Sequence, residues 1–455
     1  MSYADRPVLV AGTGITGLAC ARALARAGAR VTVINPSASA GLDALAAEGF
    51  ETVTAEIPPT EVLRRVTELV VSPFFGPSHP LVRTAVAAGL EVYSEPELAW
   101  RLCPAGAAPW LALTGTNGKT TTVTMLAAIL TAAGHRAAAV GNIGDPLIDA
   151  VLGGAYEVLA VELSSYQLHW SSEMAPLAGA YLNLADDHLD WHGDRQAYAT
   201  AKTAVWRGAA AGGTAIGNAD DPTVAELLST VEGRRVGFTL AEPKPGQLGV
   251  VDGVLVDRAF GDGVELVRAE VVHPAGPHNV ANALAAAALA RAYGVPAGAV
   301  RDGLTSYQPQ PHRNAVVTTV AGVTYVDDSK ATNPHAALAS LTAYPRVVWV
   351  AGGQLKGVDP DELVAAVADR LAGAVLLGAD RGEIAAALAR HAPSIPVIEV
   401  DRSDDGAMTD VVAHAARLAT PGDTVLLAPA AASYDMFSGY AQRGDRFAAA
   451  VRSLA

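Results

Sequence analysis

Cysteine is scarce in this sequence, with Cys20 and Cys103 as the only two among 455 residues. Two cysteines provide no disulfide framework for a chain of this size and fit a reducing compartment. Long apolar runs are also lacking, since no stretch reaches the roughly 20 apolar residues that a membrane-spanning helix needs. The apolar run after Arg6 breaks at Gly12, so we expect no signal peptide. We therefore expect a cytoplasmic protein without a membrane partner, and a monomer.

Positive charge is in deficit. Lys and Arg total 32 against 46 Asp and Glu, which gives a net charge of −14 at pH 7. A broad surface for nucleic acid or anionic lipid needs clustered Lys and Arg, so the composition argues against both kinds of partner. Hydrophobic residues make up 51% of the chain and charged residues 17%, which is enough apolar material for a sizeable core.

The most informative stretch of the sequence is Leu111–Thr121. Strand-like apolar residues lead into Gly115 and Gly118, then Lys119 and Thr120, and an apolar helical stretch follows. Glycines let backbone N–H groups approach phosphate oxygens, and the N-terminus of a helix favours negative charge. Lys119 would neutralise the outer phosphates and Thr120 would ligate Mg²⁺. A Gly-Lys-Thr loop without a nucleotide is the alternative, but the flanking strand and helix favour ATP.

A second glycine pattern lies near the start of the chain. The run Gly12-Thr-Gly14-Ile-Thr-Gly17 follows a strand-like segment and opens a helical one, as in a dinucleotide-binding βαβ unit. A nicotinamide site usually ends its second strand in an acid that holds the ribose, whereas Asn35 stands there. The alternatives to a dehydrogenase are tight strand–helix packing and a different phosphate-bearing ligand.

Strand-like and helix-like runs alternate along the chain and predict an α/β fold of three domains. We place a Rossmann-like domain at 1–97 and a second Rossmann-like domain at 310–455. Between them, residues 98–309 form a central ATPase domain of the phosphate-loop type. Short alternating runs between Gly233 and Pro274 predict a small extra sheet in this central domain.

Metal-ligand residue types follow two predicted strands. Glu162 ends an apolar run and would suit Mg²⁺ beside the phosphate loop, although an acid at a helix N-terminus explains it equally well. Residues 186–193 hold three acids with His188 and His192, four apart. Zinc would need a third ligand and a supporting shell, while Mg²⁺ prefers oxygen and a single imidazole can serve a second cation. A polar turn capped by Asp is the simplest alternative.

Lys202 lies among apolar neighbours in a helical stretch. Such a lysine normally extends to water, whereas a buried one would lose its charge. A neutral amine can react with CO₂ to give a carbamate, which is an oxygen ligand. The local sequence alone favours the solvent-exposed alternative.

Three loops of the third domain follow predicted strands and carry polar groups: Lys330 with Thr332, Lys356, and Ser433. Cations and hydroxyls of this kind suit a carboxylate ligand. Arg313 could reach the γ-phosphate of ATP, and Asp328 could hold its ribose. Any one loop could be a surface turn, but three strand-end loops with polar groups favour a binding site.

Together the motifs resemble those of the Mur ligase family, in order and over nearly the whole chain. The resemblance rests on Gly115–Thr120, Gly141–Gly144, Val161–Ser165, Asp187–His188, Lys202, His278–Asn282, His312–Arg313, Asp328–Asn333 and Gln442–Gly444. Folylpolyglutamate synthases share the first of these runs. The resemblance implies an ATP-dependent ligase that adds D-glutamate to UDP-N-acetylmuramoyl-L-alanine. The substrate carboxylate would attack the γ-phosphate, and the amine of D-glutamate would then attack the acyl phosphate.

The resemblance also implies a role for each matching residue. Catalysis would fall to Lys119, Glu162, His188 and Lys202. ATP would contact Gly115, Thr116, Asn117, Gly118, Lys119, Thr120, Thr121, Asn279, Arg313 and Asp328. Thr120 and Glu162 would hold one Mg²⁺, and His188 with a carbamylated Lys202 a second. The UDP substrate would lie at Gly14, Ile15, Thr16, Asn35, Ser72, Asn142 and His188, and D-glutamate at Lys330, Thr332, Lys356, Ser433 and Tyr440.

The sequence departs from its relatives at four positions. Relatives commonly carry an acid at Asn35 and a glycine at Phe74, near the expected uracil pocket, and smaller or apolar groups at Tyr434 and Tyr440. Three alternatives stay open. They are a relative that adds another amino acid such as L-glutamate, a folylpolyglutamate synthase, and a non-catalytic regulator that binds a nucleotide sugar.

Overall fold

The computed structural model describes residues 3–73, 75–404 and 406–454, so Phe74 lies outside the described residues, as does the side chain of Asp190. The chain divides into two compact units. The first comprises Met1–Val271 with Ala281–Tyr307, and the second Val272–Val280 with Gln308–Ala455. The described residues include no helix that is long and apolar enough to cross a membrane.

The first unit begins with a parallel sheet of five strands. These are β1 (Pro7–Ala11), β2 (Arg30–Asn35), β3 (Glu51–Thr54), β4 (Glu68–Val71) and β5 (Glu91–Ser94), in the order β3-β2-β1-β4-β5. Its helices are α1 (Ile15–Arg26), α2 (Ala40–Ala47), α3 (Thr60–Leu63), α4 (Pro80–Ala87) and α5 (Glu95–Arg101). Val8, Leu9 and Val10 are all buried, as expected of a parallel strand covered on both faces. The Rossmann-like prediction for this part is confirmed.

A second sheet, of nine strands, completes the first unit. Its strands are β6 (Trp110–Thr114), β7 (Ala137–Gly141), β8 (Val158–Glu162), β9 (Ala178–Tyr181), β10 (Thr214–Asn218), β11 (Arg234–Phe238), β12 (Gln247–Val251), β13 (Val254–Asp257) and β14 (Val264–Arg268). Their order is β14-β13-β12-β11-β10-β9-β6-β8-β7, and only β12–β13 and β13–β14 pair antiparallel.

Helices accompany this sheet. They are α6 (Lys119–Ala132), α7 (Leu147–Gly153), α8 (Ser165–His169), α9 (Leu189–His192), α10 (Arg195–Thr203), α11 (Pro222–Ser229), α12 (Pro277–Tyr293) and α13 (Ala297–Ser306), with 3-10 turns at Ala204–Ala211 and Ala269–Val271. The strands predicted as a small extra sheet differ from expectation, because β11 pairs with β10 and the rest follow in the same sheet. Pairing satisfies the backbone groups of β11, which would otherwise form an open edge.

The second unit contains a six-stranded sheet. Its strands are β15 (Ala315–Val320), β16 (Val323–Asp327), β17 (Val347–Gly352), β18 (Leu371–Leu377), β19 (Val397–Glu399) and β20 (Thr424–Leu427), in the order β15-β16-β20-β17-β18-β19, with β15 antiparallel. Its helices are α14 (Pro334–Leu341), α15 (Asp361–Val367), α16 (Arg381–His391), α17 (Ala407–Leu418) and α18 (Tyr440–Arg452), with a 3-10 turn at Ala368–Arg370. The three-domain α/β prediction is confirmed, and the domain boundaries after residues 97 and 309 stay predictions.

Candidate active site

The phosphate loop joins β6 to α6 as the sequence predicts. Gly118 caps the 14-residue helix α6 in the left-handed conformation, with φ of 79°. A Cβ at Gly118 would lie 2.3 Å from Asn282 Oδ1, and one at Gly115 would lie 2.9 Å from the Leu182 Cβ. Glycine is required at position 118 because L side chains rarely adopt a positive φ, and at position 115 because the Leu182 side chain leaves no room for a Cβ. The turn therefore presents the backbone N–H groups that begin α6, which is the arrangement that binds phosphate.

Lys119 and two loop residues are fixed by nearby groups. The Lys119 Nζ donates to the carbonyl oxygens of Gly115, at 3.0 Å, and Thr116, at 2.9 Å. Asn117 exchanges two hydrogen bonds with the Asn183 side chain, of 2.9 and 3.1 Å. The loop is thus attached to the segment that follows β9, the strand beside β6 in the sheet.

Glu162 is the centre of a polar cluster beside this loop. It is the last residue of β8 and only 2% exposed. Its carboxylate accepts a hydrogen bond from the Thr120 hydroxyl, at 2.9 Å, and another from the Asn142 amide, also at 2.9 Å. A carboxylate and a hydroxyl side by side are hard oxygen donors of the kind that Mg²⁺ takes together with phosphate oxygens. These residues therefore fit an ATP-bound magnesium ion.

Lys202 is buried, contrary to what its local sequence favours. It is 1% exposed, and its Nζ donates to the Gly115 carbonyl oxygen at 2.8 Å and to the Thr114 hydroxyl at 3.4 Å. Its Nζ also lies 4.7 Å from the centroid of the Tyr198 ring. Burial lowers the pKa of Lys202 well below its usual value, and the charge of Lys119 lowers this pKa further. The amine is accordingly prone to be neutral, which is the nucleophilic form.

His188 lies in the turn before α9 and has φ of 54°. Its Nδ1 is 2.6 Å from the Tyr166 hydroxyl, and its Nε2 is 3.4 Å from Asp187 Oδ2. His192, by contrast, faces Ser165, with 3.0 Å between its Nε2 and the hydroxyl. Within the described part of the chain, no group of three or more His, Cys, Asp and Glu side chains is arranged to hold a metal ion.

Five of the seven predicted UDP-binding residues lie at the carboxyl ends of neighbouring strands of the first sheet. Gly14, Ile15 and Thr16 begin α1 after β1, Asn35 ends β2, and Ser72 follows β4. The glycines of the run from Gly12 to Gly17 differ in role. A Cβ at Gly17 would lie 2.1 Å from the Gly12 carbonyl oxygen, whereas a Cβ at Gly14 would meet nothing within 4 Å. Gly14 and Ile15, the latter 77% exposed, form the open part of the loop. Asn35 donates to the Ser37 carbonyl at 2.7 Å.

In the second unit, two of the residues predicted to bind ATP, Asn279 and Asp328, are connected through Asn314 and the Ala275 carbonyl. The Asn314 backbone N–H donates to Asp328 at 3.0 Å, and its side chain donates to the Ala275 carbonyl at 3.3 Å. Asn279 donates to the same carbonyl at 3.4 Å and to His278 Nε2 at 2.9 Å. Burial raises the pKa of Asp328 to about 6, although the Arg313 charge and two hydrogen bonds oppose this effect.

The residues predicted to bind the amino acid follow adjacent strands of the third sheet. Lys330 and Thr332 come after β16, Lys356 after β17 and Ser433 after β20, and Tyr440 begins α18. The strands β16, β20 and β17 are neighbours, so their carboxyl ends lie on one edge. The Lys330 ammonium lies 4.0 Å from the centroid of the Tyr440 ring. Lys356 is exposed and has φ of 56°.

Sequence reasoning missed several residues that support the site. Tyr166, Tyr198 and Asn183 contact His188, Lys202 and the phosphate loop, respectively. Tyr166 and Asn183 meet partners that lie 22 and 66 residues away in the sequence, so no local signal marks them. Tyr198 lies one helical turn before Lys202, and this spacing is the signal that could have identified it. Arg443 is a second type of omission, because it lies in a motif of the resemblance, Gln442–Gly444, that implies no role for it.

Three models of protein families match the chain. The description "Mur ligase MurD-like, N-terminal domain" applies to residues 6–94, "Mur ligase middle domain" to 113–290, and "Mur ligase, glutamate ligase domain" to 312–431. Together the matched ranges include the first glycine run and the phosphate loop. They also include all of the loops after β16 and β17 in the second unit, but only part of the loop after β20.

Curated relatives are similar over their whole length. The chain is 54% identical to the UDP-N-acetylmuramoylalanine–D-glutamate ligase of Streptomyces avermitilis, over 100% of this chain and 99% of the relative. It is 53% identical to the ligase of the same name from Thermobifida fusca, over 100% of both chains.

Solved structures share the fold. The UDP-N-acetylmuramate-alanine ligase of Thermotoga maritima matches with a TM-score of 0.58 and 17% identity, over 99% of this chain and 100% of that one. A pseudomurein peptide ligase type C from Methanothermus fervidus matches with a TM-score of 0.56 and 18% identity, over 99% and 100% of the two chains. At these identities the likeness concerns the fold alone.

Proposed function

The chain belongs to the Mur ligase family, and from this premise we propose that it catalyses the ATP-dependent addition of D-glutamate to UDP-N-acetylmuramoyl-L-alanine. The product is a precursor of peptidoglycan. The observation that carries the proposal is the cluster of Thr120, Asn142 and Glu162 beside a phosphate loop, in a chain 54% identical over its whole length to a ligase of that name. A nicotinamide-dependent dehydrogenase is excluded, because the first glycine run lies within the matched ligase domain.

ATP is activated by position and charge in this proposal. The N–H groups that begin α6 and the Lys119 ammonium bind its phosphates, and Asn279, Arg313 and Asp328 bind the nucleoside and the γ-phosphate. Thr120 and Glu162 would hold Mg²⁺, and the bound ion would supply positive charge against the charge that develops on the phosphates. The buried Glu162 carboxylate is kept in place for this role by the Asn142 amide.

The chemical step uses two nucleophiles in turn. The carboxylate of UDP-N-acetylmuramoyl-L-alanine attacks the γ-phosphorus, ADP leaves, and an acyl phosphate forms. The neutral amine of D-glutamate then attacks the acyl carbon, and phosphate leaves from the tetrahedral intermediate. Little covalent chemistry falls to the protein, so its contribution is the positioning and charge stabilisation of bound substrates. The run at Gly14, Ile15 and Thr16, with Asn35 and Ser72, binds the uridine diphosphate.

We further propose that Lys202 is carbamylated. The neutral amine attacks the carbon of CO₂, a C–N bond forms while one C=O π bond opens to leave a negatively charged oxygen, and the proton released from nitrogen passes to water. The resulting carbamate and His188 would hold a second Mg²⁺. Support comes from the 1% exposure of Lys202 and from the depression of its pKa by burial and by Lys119.

The amino-acid site follows from the loops after β16, β17 and β20. Lys330, Thr332, Lys356, Ser433 and Tyr440 are proposed to hold the two carboxylates of D-glutamate. Tyr440 contacts the Lys330 ammonium through its ring face and so orients this cation. We also propose that the protein is a cytoplasmic monomer, which sedimentation analysis would test.

The first experiment is ATP-dependent phosphate release with UDP-N-acetylmuramoyl-L-alanine. Parallel reactions contain D-glutamate, L-glutamate or no amino acid, and Lys119→Ala is the matched inactive variant. Release that requires D-glutamate and disappears in a folded Lys119→Ala protein supports the proposal. Release with L-glutamate alone would keep the mechanism and change the substrate. No release under any condition would favour a non-catalytic nucleotide-sugar-binding protein.

A further inference from the structure

Arg443 is a buried cation near the start of α18. It is 1% exposed, and burial lowers the pKa of its guanidinium to about 10, which leaves it charged at neutral pH. The charges of Asp435 and Asp327 oppose this lowering of the pKa, and the hydrogen bonds that the guanidinium donates to described residues go to neutral acceptors. A buried charge is costly unless its donors are satisfied. The groups that accept hydrogen bonds from Arg443 therefore indicate its structural role.

The acceptors belong to three different loops. Its Nε donates to the Ser329 hydroxyl at 3.0 Å, and its Nη2 donates to the Ser329 carbonyl at 2.9 Å. Its Nη1 donates to the carbonyl oxygens of Gly352, at 3.2 Å, and Ala431, at 3.1 Å. Ser329 follows β16, Gly352 ends β17 and Ala431 follows β20. One planar side chain thus connects the carboxyl ends of three neighbouring strands.

Further bonds join the same loops to each other and to α18. The Ser329 hydroxyl donates to the Tyr440 carbonyl oxygen at 2.7 Å. Gln354 and Ala432 exchange two backbone hydrogen bonds of 2.8 and 2.9 Å, which link the loops after β17 and β20. The Ala430 N–H donates to the Ala331 carbonyl at 2.9 Å, which links the loops after β20 and β16. Arg443 lies where all three loops meet.

Each connected loop carries groups proposed above for the amino acid. Lys330 directly follows Ser329, Ser433 lies two residues after Ala431, and Lys356 lies four residues after Gly352. We propose that Arg443 is the positioning residue of the amino-acid site, because its guanidinium fixes the relative positions of the three loops that hold the carboxylates of the incoming amino acid. In this assignment the identity of the ligand rests on the proposed function. The connection between the loops does not depend on it.

The geometry requires arginine rather than another cation. A guanidinium presents its donors in a rigid plane, so that one group can serve acceptors in several directions at once. A lysine has a single ammonium on a flexible stem and would reach only part of the set. Asp328, in contrast, is held by Asn314 and by the Leu427 carbonyl, which its N–H reaches at 2.9 Å. Loss of Arg443 should therefore affect the amino-acid site more than the ATP site.

Hydrogen exchange of the unliganded protein tests the connection without any substrate. The variant is Arg443→Lys, and the control is Arg452→Lys, on the exposed end of the same helix. We expect faster exchange in all three segments, 328–333, 352–357 and 429–435, in Arg443→Lys and in none of them in the control. Unchanged exchange there, or an increase confined to α18, would overturn the proposal. If Arg443→Lys is insoluble, Ser329→Ala decides, with increases expected at 328–333 and at the start of α18.

Steady-state kinetics test the consequence for catalysis. In Arg443→Lys, KM for D-glutamate should rise about tenfold or more, the effect of losing one or two buried hydrogen bonds, while KM for ATP changes less than about twofold. Ser329→Ala should show a smaller rise in the same constant. Equal increases for ATP and D-glutamate would point to general damage and contradict a positioning role. If the parent enzyme does not use D-glutamate at all, the proposed function fails, and hydrogen exchange still decides the role of Arg443.

Discussion

Burial of Lys202 removes the solvation that keeps a lysine protonated, and this effect on one side chain has a chemical consequence. If its carbamate supplies an oxygen ligand, Lys202→Ala should lower the rate of phosphate release by about 100-fold or more, as loss of a metal ligand or its support does. Short carboxylates such as formate or acetate should restore part of the rate, because they supply the missing oxygen in the space left by the side chain.

The matched control for this prediction is Lys244→Ala, at an exposed lysine of the first unit. It should keep full activity and show no response to added carboxylates. Full activity of Lys202→Ala in the absence of formate or acetate would remove the carbamate from the mechanism. Restoration of Lys119→Ala by the same acids would show that the effect is not specific to position 202.

At the residue scale, His278 helps to orient the side-chain amide of its neighbour Asn279. Burial lowers the pKa of His278 to about 4, so the ring is neutral at assay pH, and its Nε2 accepts from the Asn279 amide at 2.9 Å. His278→Phe removes this acceptor and so loosens the Asn279 amide, which keeps its longer bond to the Ala275 carbonyl at 3.4 Å. We expect KM for ATP to rise about tenfold, the size of a buried hydrogen bond.

Two observations separate this effect from general damage. His278→Gln offers an amide oxygen as an alternative acceptor and should recover part of the affinity for ATP. KM for UDP-N-acetylmuramoyl-L-alanine should stay the same in both variants, because its proposed residues belong to the first unit. In the parent, titration of His278 should contribute nothing to the pH profile between pH 6 and 9, since a pKa of about 4 lies below this range.

At the scale of an element, α18 packs so closely against β16 that its residue 444 has no room for a side chain and must be glycine. A Cβ there would lie 2.2 Å from His312 Nδ1 and 2.6 Å from Asp327 Oδ2, two atoms that are themselves 2.7 Å apart. Alanine has the higher helix propensity, by about 1 kcal/mol. We nevertheless expect Gly444→Ala to lower the free energy of unfolding by about 1–3 kcal/mol, the usual cost of overpacking.

Gly382 in α16 provides the control, because a Cβ there would meet nothing within 4 Å. Gly382→Ala should raise the stability of the same unit by about 0.5–1 kcal/mol through helix propensity alone. Chemical denaturation of both variants measures the two changes. Stabilisation by Gly444→Ala would show that α18 can move away from His312 without cost.

Elements with a local pattern were predictable from the sequence. The strand-like residues that lead into Gly115 and the apolar run that Glu162 ends match β6 and β8, because buried parallel strands are continuous apolar runs between turn residues. Pairing partners have no such local signal. The strands β11–β14 were therefore found, but their attachment to β10 in one sheet was not.

The candidate site shows the same limit. Its motif residues could be named from their spacing, and the structure gathers Thr120, Asn142 and Glu162 as expected. The burial of Lys202 could not be predicted, because its environment is made by Thr114 and Gly115, almost 90 residues away, as well as by Tyr198 on its own helix. A buried contact of this kind depends on the completed fold and leaves no trace in the flanking sequence.

At the scale of the whole molecule, a buried acid makes the stability of the first unit depend on pH. Glu95 is 2% exposed and accepts the Ile148 N–H at 2.7 Å. Burial raises its pKa from 4.5 to about 7. Between these values the folded state binds more protons than the unfolded state, so the stability that Glu95 contributes is complete below pH 4.5 and is lost as pH rises to about 7. The shift corresponds to about 3 kcal/mol.

Glu95→Gln keeps an oxygen for the Ile148 N–H but cannot ionise, so it should remove this dependence. As pH rises from about 5 to about 7, the free energy of unfolding of the variant should increase relative to that of the parent, by up to about 3 kcal/mol. Above pH 7 this difference should stay constant. Because the chain forms two compact units, a single melting temperature would mix their responses, and hydrogen exchange should be read separately for peptides of each. Peptides of the first sheet should follow the pH trend, while those around Trp349 in the second unit should not. An equal shift in both units would show that they unfold as one cooperative body.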